Sequence, residues 1–554
     1  MWLLPACSFA AKALTEWQAF TQPDGSVLVL SLSGDERGYC YVDMSGTAYM
    51  PDSKGVFRVV PREQRAAGAK PVRRAGAALI PRRNWDPDRL YRQLVVLVSF
   101  SDLDFKADNP QATYDSIFNE RGYNQGDGAG SVADYFRNQS DGRLNLRFDV
   151  HGPVKVDAQA RSSQLDEINH GDGVFAEAMD RLAAQRPDMD FSPFDWDDDG
   201  TIEQVVFVYA GYTGNQTASL GYIWPNTGLS DFTAPDGHPV TCYSASGELW
   251  SNGRSCGIGT VCHEFSHCLG LPDIYPTAKD ASASHLVDQW DVMDGGNSTN
   301  WGWCPPNYSA HEKMMLGWLV PKKLDADTVI TGMKPVAEGG TAYLIRHTEN
   351  EFLLLENRQW QGWDAGAPGQ GLLVWHINYD QEAWQDNAVN NTDDRPNCHL
   401  IAADGMGYPE WVALYRERGG TNTYQDKTRR LHRCLLSTAP YPWSTDSTDF
   451  VNRELTDSSF PAAVMYNKNT MGSTLLSKPI TNITEHDDGT VSFVFHATTP
   501  DGLITPSSRT RHPSSIYTLT GRRVNQTQDS LPDGIYIIDG KKTGITKETQ
   551  GGPY

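Results

Sequence analysis

The run His263-Glu264-Phe265-Ser266-His267-Cys268-Leu269-Gly270-Leu271-Pro272-Asp273 decides how this chain is read. Two histidines four residues apart on a helix leave the same face one turn apart. Both imidazoles therefore reach a single cation, and Glu264 points at that ion's open side. Glycine is disfavoured inside a helix, so Gly270 ends this one and Pro272 keeps it from resuming. The turn that follows brings Asp273 back towards the ion as a third ligand, which a straight helix could not do. Zinc held by His263, His267 and Asp273 keeps a fourth position for water. Asp291 and Asp294 are the alternatives for the third place.

About twenty residues on, Trp290-Asp291-Val292-Met293-Asp294-Gly295-Gly296 sets a methionine in a tight turn closed by glycine. The thioether of Met293 can form an apolar floor beneath metal-bound imidazoles. A bare His-Glu-x-x-His arises by chance on many exposed helix faces. Glycine, proline and aspartate at these offsets, followed by such a turn, make chance a poor account.

With both motifs in hand, the chain resembles the metzincin-clan zinc peptidases of the immune inhibitor A type, the M6 family. The resemblance extends through Leu94–Asp102, Gly130–Phe136, Gly152-Pro153-Val154, Ser309–Lys313, Gly317–Leu319, Leu355–Gln359 and Gly371–His376, so that roughly residues 15–497 are covered. It implies a secreted zinc endopeptidase acting on proteins or peptides. In that reading His263, His267 and Asp273 hold the metal, Glu264 is the general base and Met293 is the Met-turn methionine.

Composition agrees with a folded, water-exposed protein. The 554 residues suffice for several domains, and 39% are hydrophobic. A formal charge of −22 disfavours nucleic acid as a partner, because its phosphates would be repelled by most of the surface. No run of 18 or more apolar residues exists, so a spanning helix is not expected. Nine cysteines fit no metal-finger spacing. Four of them, Cys256, Cys262, Cys268 and Cys304, crowd the zinc segment, where an oxidising compartment would allow one disulfide.

The expected fold class is α+β: a zincin catalytic domain with a β-rich pro-segment before it and a β-sandwich after it. Residues 1–13 are apolar and end in Ala11-Lys12-Ala13, the pattern of a clipped signal peptide; Leu4-Pro5-Ala6-Cys7 offers a degenerate lipoprotein box instead. Residues 14–60 alternate apolar and polar, as in Val27–Leu32, and read as the strands of the pro-segment. Residues 61–92 form an Arg/Ala/Pro-rich connector whose cleavage between Arg65 and Arg83 would activate a zymogen. The catalytic domain spans 93–325, with strands at Leu94–Phe100 and Ile202–Tyr209 and a helix at Gly173–Gln185. Short strands recur over 326–497, the sandwich, whose Trp360, Trp363, Trp375 and Trp384 are either core or an exposed binding platform. After a linker at 498–514, residues 515–554 resemble the C-terminal sorting segments of type IX secretion cargo in Bacteroidetes, which places the protein outside the cell or on its surface.

One further cluster precedes the strand at Ile202. Asp195, Asp197, Asp199, Thr201 and Glu203 place oxygens at alternate positions around Gly200, a pattern that can wrap calcium, although Val206 stands where an EF-hand loop would carry its last glutamate. Two other functions remain compatible with the chain: a non-catalytic surface adhesin on a peptidase scaffold, and a zinc hydrolase of a non-peptide amide or glycan.

Overall fold

Valine-rich runs with no polar alternation need cover on both faces, and Tyr91–Ser99 and Ile202–Tyr212 are such runs. A computed structural model of the chain describes residues 8–10, 13, 17–60 (except 36–37, 45–46 and 53), 85–498 (except 162–171, 217–220, 231, 279–285, 393, 408–435 and 445–450), and 516–518, 534–538 and 541–545. Most of the connector, including Arg65 and Arg83, lies outside these residues, as do nearly all of the 498–514 linker and the Leu4–Cys7 box.

In chain order, Ser8–Ala10 is strand β1. Gln18–Thr21, Val27–Asp35, Gly38–Val42, Ala48–Pro51 and Phe57–Val59 are β2 to β6, an antiparallel meander. The central layer uses β7 (Tyr91–Ser99), helices α1 (Pro110–Asn119) and α2 (Val132–Gln139), β8 (Leu146–Lys155), α3 (Asp172–Gln185), β9 (Ile202–Tyr212), β10 (Asn226–Leu229) and β11 (Val240–Leu249). Its sheet runs β1-β10-β11-β9-β7-β8. Strands β8, β7, β9 and β11 are mutually parallel; β10 is antiparallel to β11, and β1 is antiparallel to β10. The expected α+β lobe is therefore a mixed α/β layer. Parallel neighbours require crossovers: α1 and α2 lie in the one from β7 to β8, α3 lies between β8 and β9, and the connection from β9 to β11 runs through β10.

The histidine helix, α4 (Gly259–Cys268), lies on this sheet. Phe265 fixes its roll: the ring faces away from the histidines and packs at 4.5 Å on Phe136 of α2 and at 5.9 Å on Phe148 of β8. Truncating so buried a phenylalanine costs about 3–5 kcal/mol. Helix α2 is itself set by a capping box between Ser131 and Asp134.

Residue 325 divides the sequence but does not divide the packing. Beyond α5 (Ala310–Met315), the strands β12 (Lys322–Lys323), β14 (Tyr343–Arg346), β15 (Glu351–Arg358), β16 (Gly371–Asn378) and β17 (Cys398–Leu400) form one sheet. β13 (Thr328–Met333), β18 (Ile480–Glu485) and β19 (Val491–Phe495) form another. The larger sheet is covered on both faces. Leu344, Leu354, Leu373 and Trp375 join the core of the central layer, while Ile345, Leu353, Leu355, Leu372 and Val374 join a second core with Phe493 and Phe495. A buried ionic knot ties the regions together: Arg358 pairs with Glu356 at 3.0 Å and with Asp364 at 2.7 Å, and Glu356 accepts from the Ala310 N–H. Trp363, Trp375 and Trp384 are core, and only Trp360 of that set is exposed.

At the N-terminus, β1 pairs with the central sheet, and Ala13 is buried with Leu30, Leu32, Tyr41 and Trp224. Of the segment read as a clipped signal peptide, only residues 8–10 and 13 are among the described residues. The cysteines around the site, Cys256, Cys262, Cys268 and Cys304, are free and buried, so the anticipated disulfide is not formed there. Residues Ile516–Thr518, Gly534–Ile538 and Lys541–Ile545 make a small antiparallel sheet. Among the described residues no helix is long and apolar enough to cross a membrane.

Two buried histidines make this fold acid-sensitive. Burial pushes the pKa of His311, wedged against Trp384, down to about 4; burial and the neighbouring His376 push His399 to about 3. Both are neutral in the fold and charge more readily when unfolded, near pH 6.5. Their contribution is complete above about pH 6.5 and is lost as pH falls towards their folded values. His311 alone should cost about 2 kcal/mol of stability between pH 7 and pH 5. Urea titrations at the two pH values should show a smaller loss in His311→Gln than in the unsubstituted chain.

Candidate metal centre

Helix α4 ends where its sequence requires. Gly270 takes φ of 99°, its N–H bonds to His267 O and the Leu271 N–H bonds to Ser266 O, which closes the last turn and reverses the chain. The reversal aligns three ligand atoms. His263 Nε2 and His267 Nε2 are 3.2 Å apart, and Asp273 Oδ1 lies 3.2 Å from the first and 3.3 Å from the second. All three side chains are fully buried.

The outer atoms of these groups are tied to the backbone. His263 Nδ1 donates to Val292 O and His267 Nδ1 to Leu271 O, each at 2.8 Å, which leaves both Nε2 lone pairs facing inwards. Val292 belongs to the Met-turn, whose Met293 O accepts from the Ile274 N–H and so holds the residue after Asp273. Met293 itself is fully buried in the central core. The turn serves the site through its carbonyls.

The alternatives for the third ligand are engaged elsewhere. Asp291 Oδ1 accepts from the Met293 N–H, and Asp294 Oδ2 accepts from the N–H groups of Leu286, Val287 and Asp288. Burial raises Asp291 to about 6 and Glu312 beside it well above the carboxylate range. Neither Asp291 nor Asp294 joins the imidazoles.

The trio fits a tetrahedral zinc ion. Zinc bonds of about 2.0–2.1 Å place neighbouring ligand atoms about 3.3–3.4 Å apart, close to the spacing of these three. Asp273 Oδ1 is buried and accepts no hydrogen bond, although it faces two imidazole nitrogens. Its charge calls for a cation. Burial opposes ionisation of Asp273, yet the two histidines hold it well below the usual carboxylate range. Burial likewise opposes charging His263, but Asp273 and Glu264 outweigh it and raise that imidazole to about 9, while burial lowers His267.

Glu264 is the fourth group, fully buried and on the same helix. Thr227 of β10 reaches it: the hydroxyl lies 2.9 Å from Glu264 Oε2 and 2.7 Å from the Glu264 carbonyl. Sequence reading missed Thr227, since nothing marks one threonine in a short polar strand. It also missed Asn387, which bonds Asp273 twice, Nδ2 to Oδ2 and the Asp273 N–H to Oδ1, both at 2.7 Å. The Asn-rich run Asp386–Asn391 was a visible signal without an evident target.

The acidic loop before β9 is only partly gathered. Asp195, Asp197 and Glu203 bring oxygens within 4.8 Å of one another, whereas Asp199 stands outside this group. The loop closes on its own backbone: Asp195 accepts from the N–H groups of Asp197, Asp199 and Gly200, Glu203 from Trp196, and Asp199 from Thr201. Three of the five expected residues, Asp195, Asp197 and Glu203, are thus gathered, and Asp195 and Glu203 are also held by the loop's own backbone.

A helix on a mixed sheet that presents two imidazoles and a carboxylate beside a buried glutamate defines a metallopeptidase-type centre. Residues 247–317, which hold α4, the turn after it and the Met-turn, match the family described as immune inhibitor A peptidase M6, catalytic domain. The segment that carries the site is therefore similar to the catalytic domain of the M6 peptidases. No curated protein matches the chain significantly.

Replacing Asp273 with asparagine removes the anionic ligand while keeping its shape. Zinc affinity should fall by more than the roughly 10- to 100-fold that outer-shell substitutions cost. Competition against a chromophoric chelator measures it, and an affinity unchanged in Asp273→Asn would remove Asp273 from the ligand set.

Proposed function

We propose that the chain is a zinc-dependent endopeptidase, exported to the cell exterior or surface and held here in a latent form. The observation that carries the catalytic part is the buried triangle of His263, His267 and Asp273 with Glu264 one residue from the first histidine. Zinc, when bound, supplies Lewis acidity that lowers the pKa of its water and polarises a carbonyl. Glu264 takes the proton from the attacking water and returns it to the leaving amine. Thr227, bonded to one carboxylate oxygen of Glu264, fixes the plane in which that proton moves. Strand β10, which carries Thr227, offers a backbone edge along which an extended peptide can pair.

Glu264→Gln keeps the size of the side chain and removes its basicity. Casein hydrolysis should fall by about 10²- to 10⁴-fold with zinc content unchanged. The non-catalytic adhesin reading requires that casein is never cut, and the non-peptide hydrolase reading that only other amides or glycans are; metal-dependent casein cleavage lost in Glu264→Gln excludes both.

Latency is supported by access. His263, Glu264, His267 and Asp273 are each 0% exposed, as a covered site requires. The edge of β10 is taken by β1, in the register Ser8 to Gly228, Phe9 to Thr227 and Ala10 to Asn226. In the latent form β1 would hold that edge. Export rests on the C-terminal segment, whose sequence resembles sorting signals read by type IX secretion machinery. Proline has no N–H for a ladder, so Ser8→Pro with Ala10→Pro should raise peptidase activity of the full chain roughly tenfold or more. Unchanged activity in that variant, set against a chain nicked between Arg65 and Arg83 that is active, would place the block elsewhere.

A further inference from the structure

The third ligand is held from outside the segment that matches the peptidase family. Asn387 follows Gln381–Gln385 by two residues and lies 114 positions beyond Asp273, yet it grips that residue at both ends: its Oδ1 accepts from the Asp273 N–H and its Nδ2 donates to Asp273 Oδ2. Both bonds are 2.7 Å, and both residues are buried. The grip leaves Oδ1 as the one carboxylate oxygen without a hydrogen bond, and that oxygen faces the two imidazoles. The same loop continues the clamp. Asn390 Nδ2 donates to Ile274 O, Asn391 Oδ1 accepts from the Thr277 N–H, and the Thr277 hydroxyl donates to Asn387 O. Asn387 adopts φ of 51°, a left-handed conformation that asparagine and glycine tolerate best.

We propose that Asn387 is a positioning residue of the metal centre: it selects which oxygen of Asp273 meets the cation and fixes its direction. The inference rests on the zinc reading above. A carboxylate rotates freely about its last bond unless something holds it, and a ligand oxygen must stay within a few tenths of an ångström of its place. The histidines take their direction from local carbonyls at Val292 and Leu271. Asp273 sits on an irregular turn, so its direction comes from the 386–391 loop. The metal centre is therefore assembled from two distant stretches of chain, and its affinity depends on the docking of the second.

The test uses the full chain carrying Asn387→Gly or Asn387→Asp. The first suits the left-handed backbone and removes both bonds; the second keeps the acceptor for the Asp273 N–H but sets a carboxylate against Oδ2. Zinc affinity is read by chelator competition, and the visible spectrum of the cobalt-loaded protein reports ligand geometry directly. Both variants should bind zinc about 10- to 100-fold more weakly, with a shifted cobalt spectrum, while melting of the metal-free proteins stays level with that of the unsubstituted chain. Zinc affinities within twofold of the unsubstituted chain, together with an unchanged cobalt spectrum, would overturn the assignment. Should one variant fail to fold, the other decides. An unsubstituted chain that binds no stoichiometric zinc would instead remove the zinc reading itself, which separates the two failures.

Discussion

A carboxylate oxygen buried between two imidazole nitrogens is the constraint from which the rest of the structure follows. Such an anion is costly in a protein interior unless a cation meets it. Here a proton on His263 or a divalent ion fills that role, and the 3.2–3.3 Å spacing of the three atoms suits the ion. Every neighbouring element supplies one restraint on that triangle. Phe265 sets the roll of the helix, Gly270 turns the chain, Val292 and Leu271 fix the rings, and Asn387 fixes the carboxylate.

The centre was legible from sequence because its determinants are local. His263, Glu264 and His267 share a helix, and Gly270 and Pro272 force the bend that returns Asp273; periodicity and helix-stop chemistry act over a few residues. The strands at Tyr91–Ser99 and Ile202–Tyr212 announced themselves by unbroken apolar runs. Partners far along the chain were not legible. Asn387 and Thr227 act through contacts spanning 114 and 37 positions, and no local pattern encodes which distant atom a side chain meets. Strand order was not legible for the same reason: apolar patterning marks strands, but only tertiary packing makes four of them parallel. The acidic loop was legible only in part, because carboxylates that close a turn on its own N–H groups leave the same alternating pattern as carboxylates that surround a cation, and Asp199 does not join the group formed by Asp195, Asp197 and Glu203.

The sheet beyond residue 325 shows why the sequence division is not a physical one. Successive residues of β15 feed opposite cores, Leu354 inwards to the peptidase layer and Leu353 and Leu355 outwards. A sheet buried on both faces cannot be peeled from either neighbour without exposing a face of large apolar side chains. Glu356, Arg358 and Asp364 add a buried charge network on this side, and separation would expose it to water and break the bonds from the Ala310 N–H to Glu356 and from Asn307 to Asp364. The loop bearing Asn387 hangs from this sheet, so the rigidity of the sheet becomes the rigidity of the metal site.

The same reasoning bears on how the site is closed. A three-residue strand such as β1 is marginal by itself, since so few ladder bonds barely offset the entropy of ordering the chain. Its hold comes from the tether. The N-terminal meander packs Leu30, Leu32 and Tyr41 around Trp224, two residues before β10, and Tyr39 stacks on Trp224 with ring centroids 5.7 Å apart. That contact keeps β1 at a high effective concentration beside the edge it covers. In the latent form proposed, cutting the connector would convert an intramolecular contact into a bimolecular one, which dilution would dissolve. The N-terminal sheet is thus the anchor, and β1 the element that occupies the edge beside Glu264.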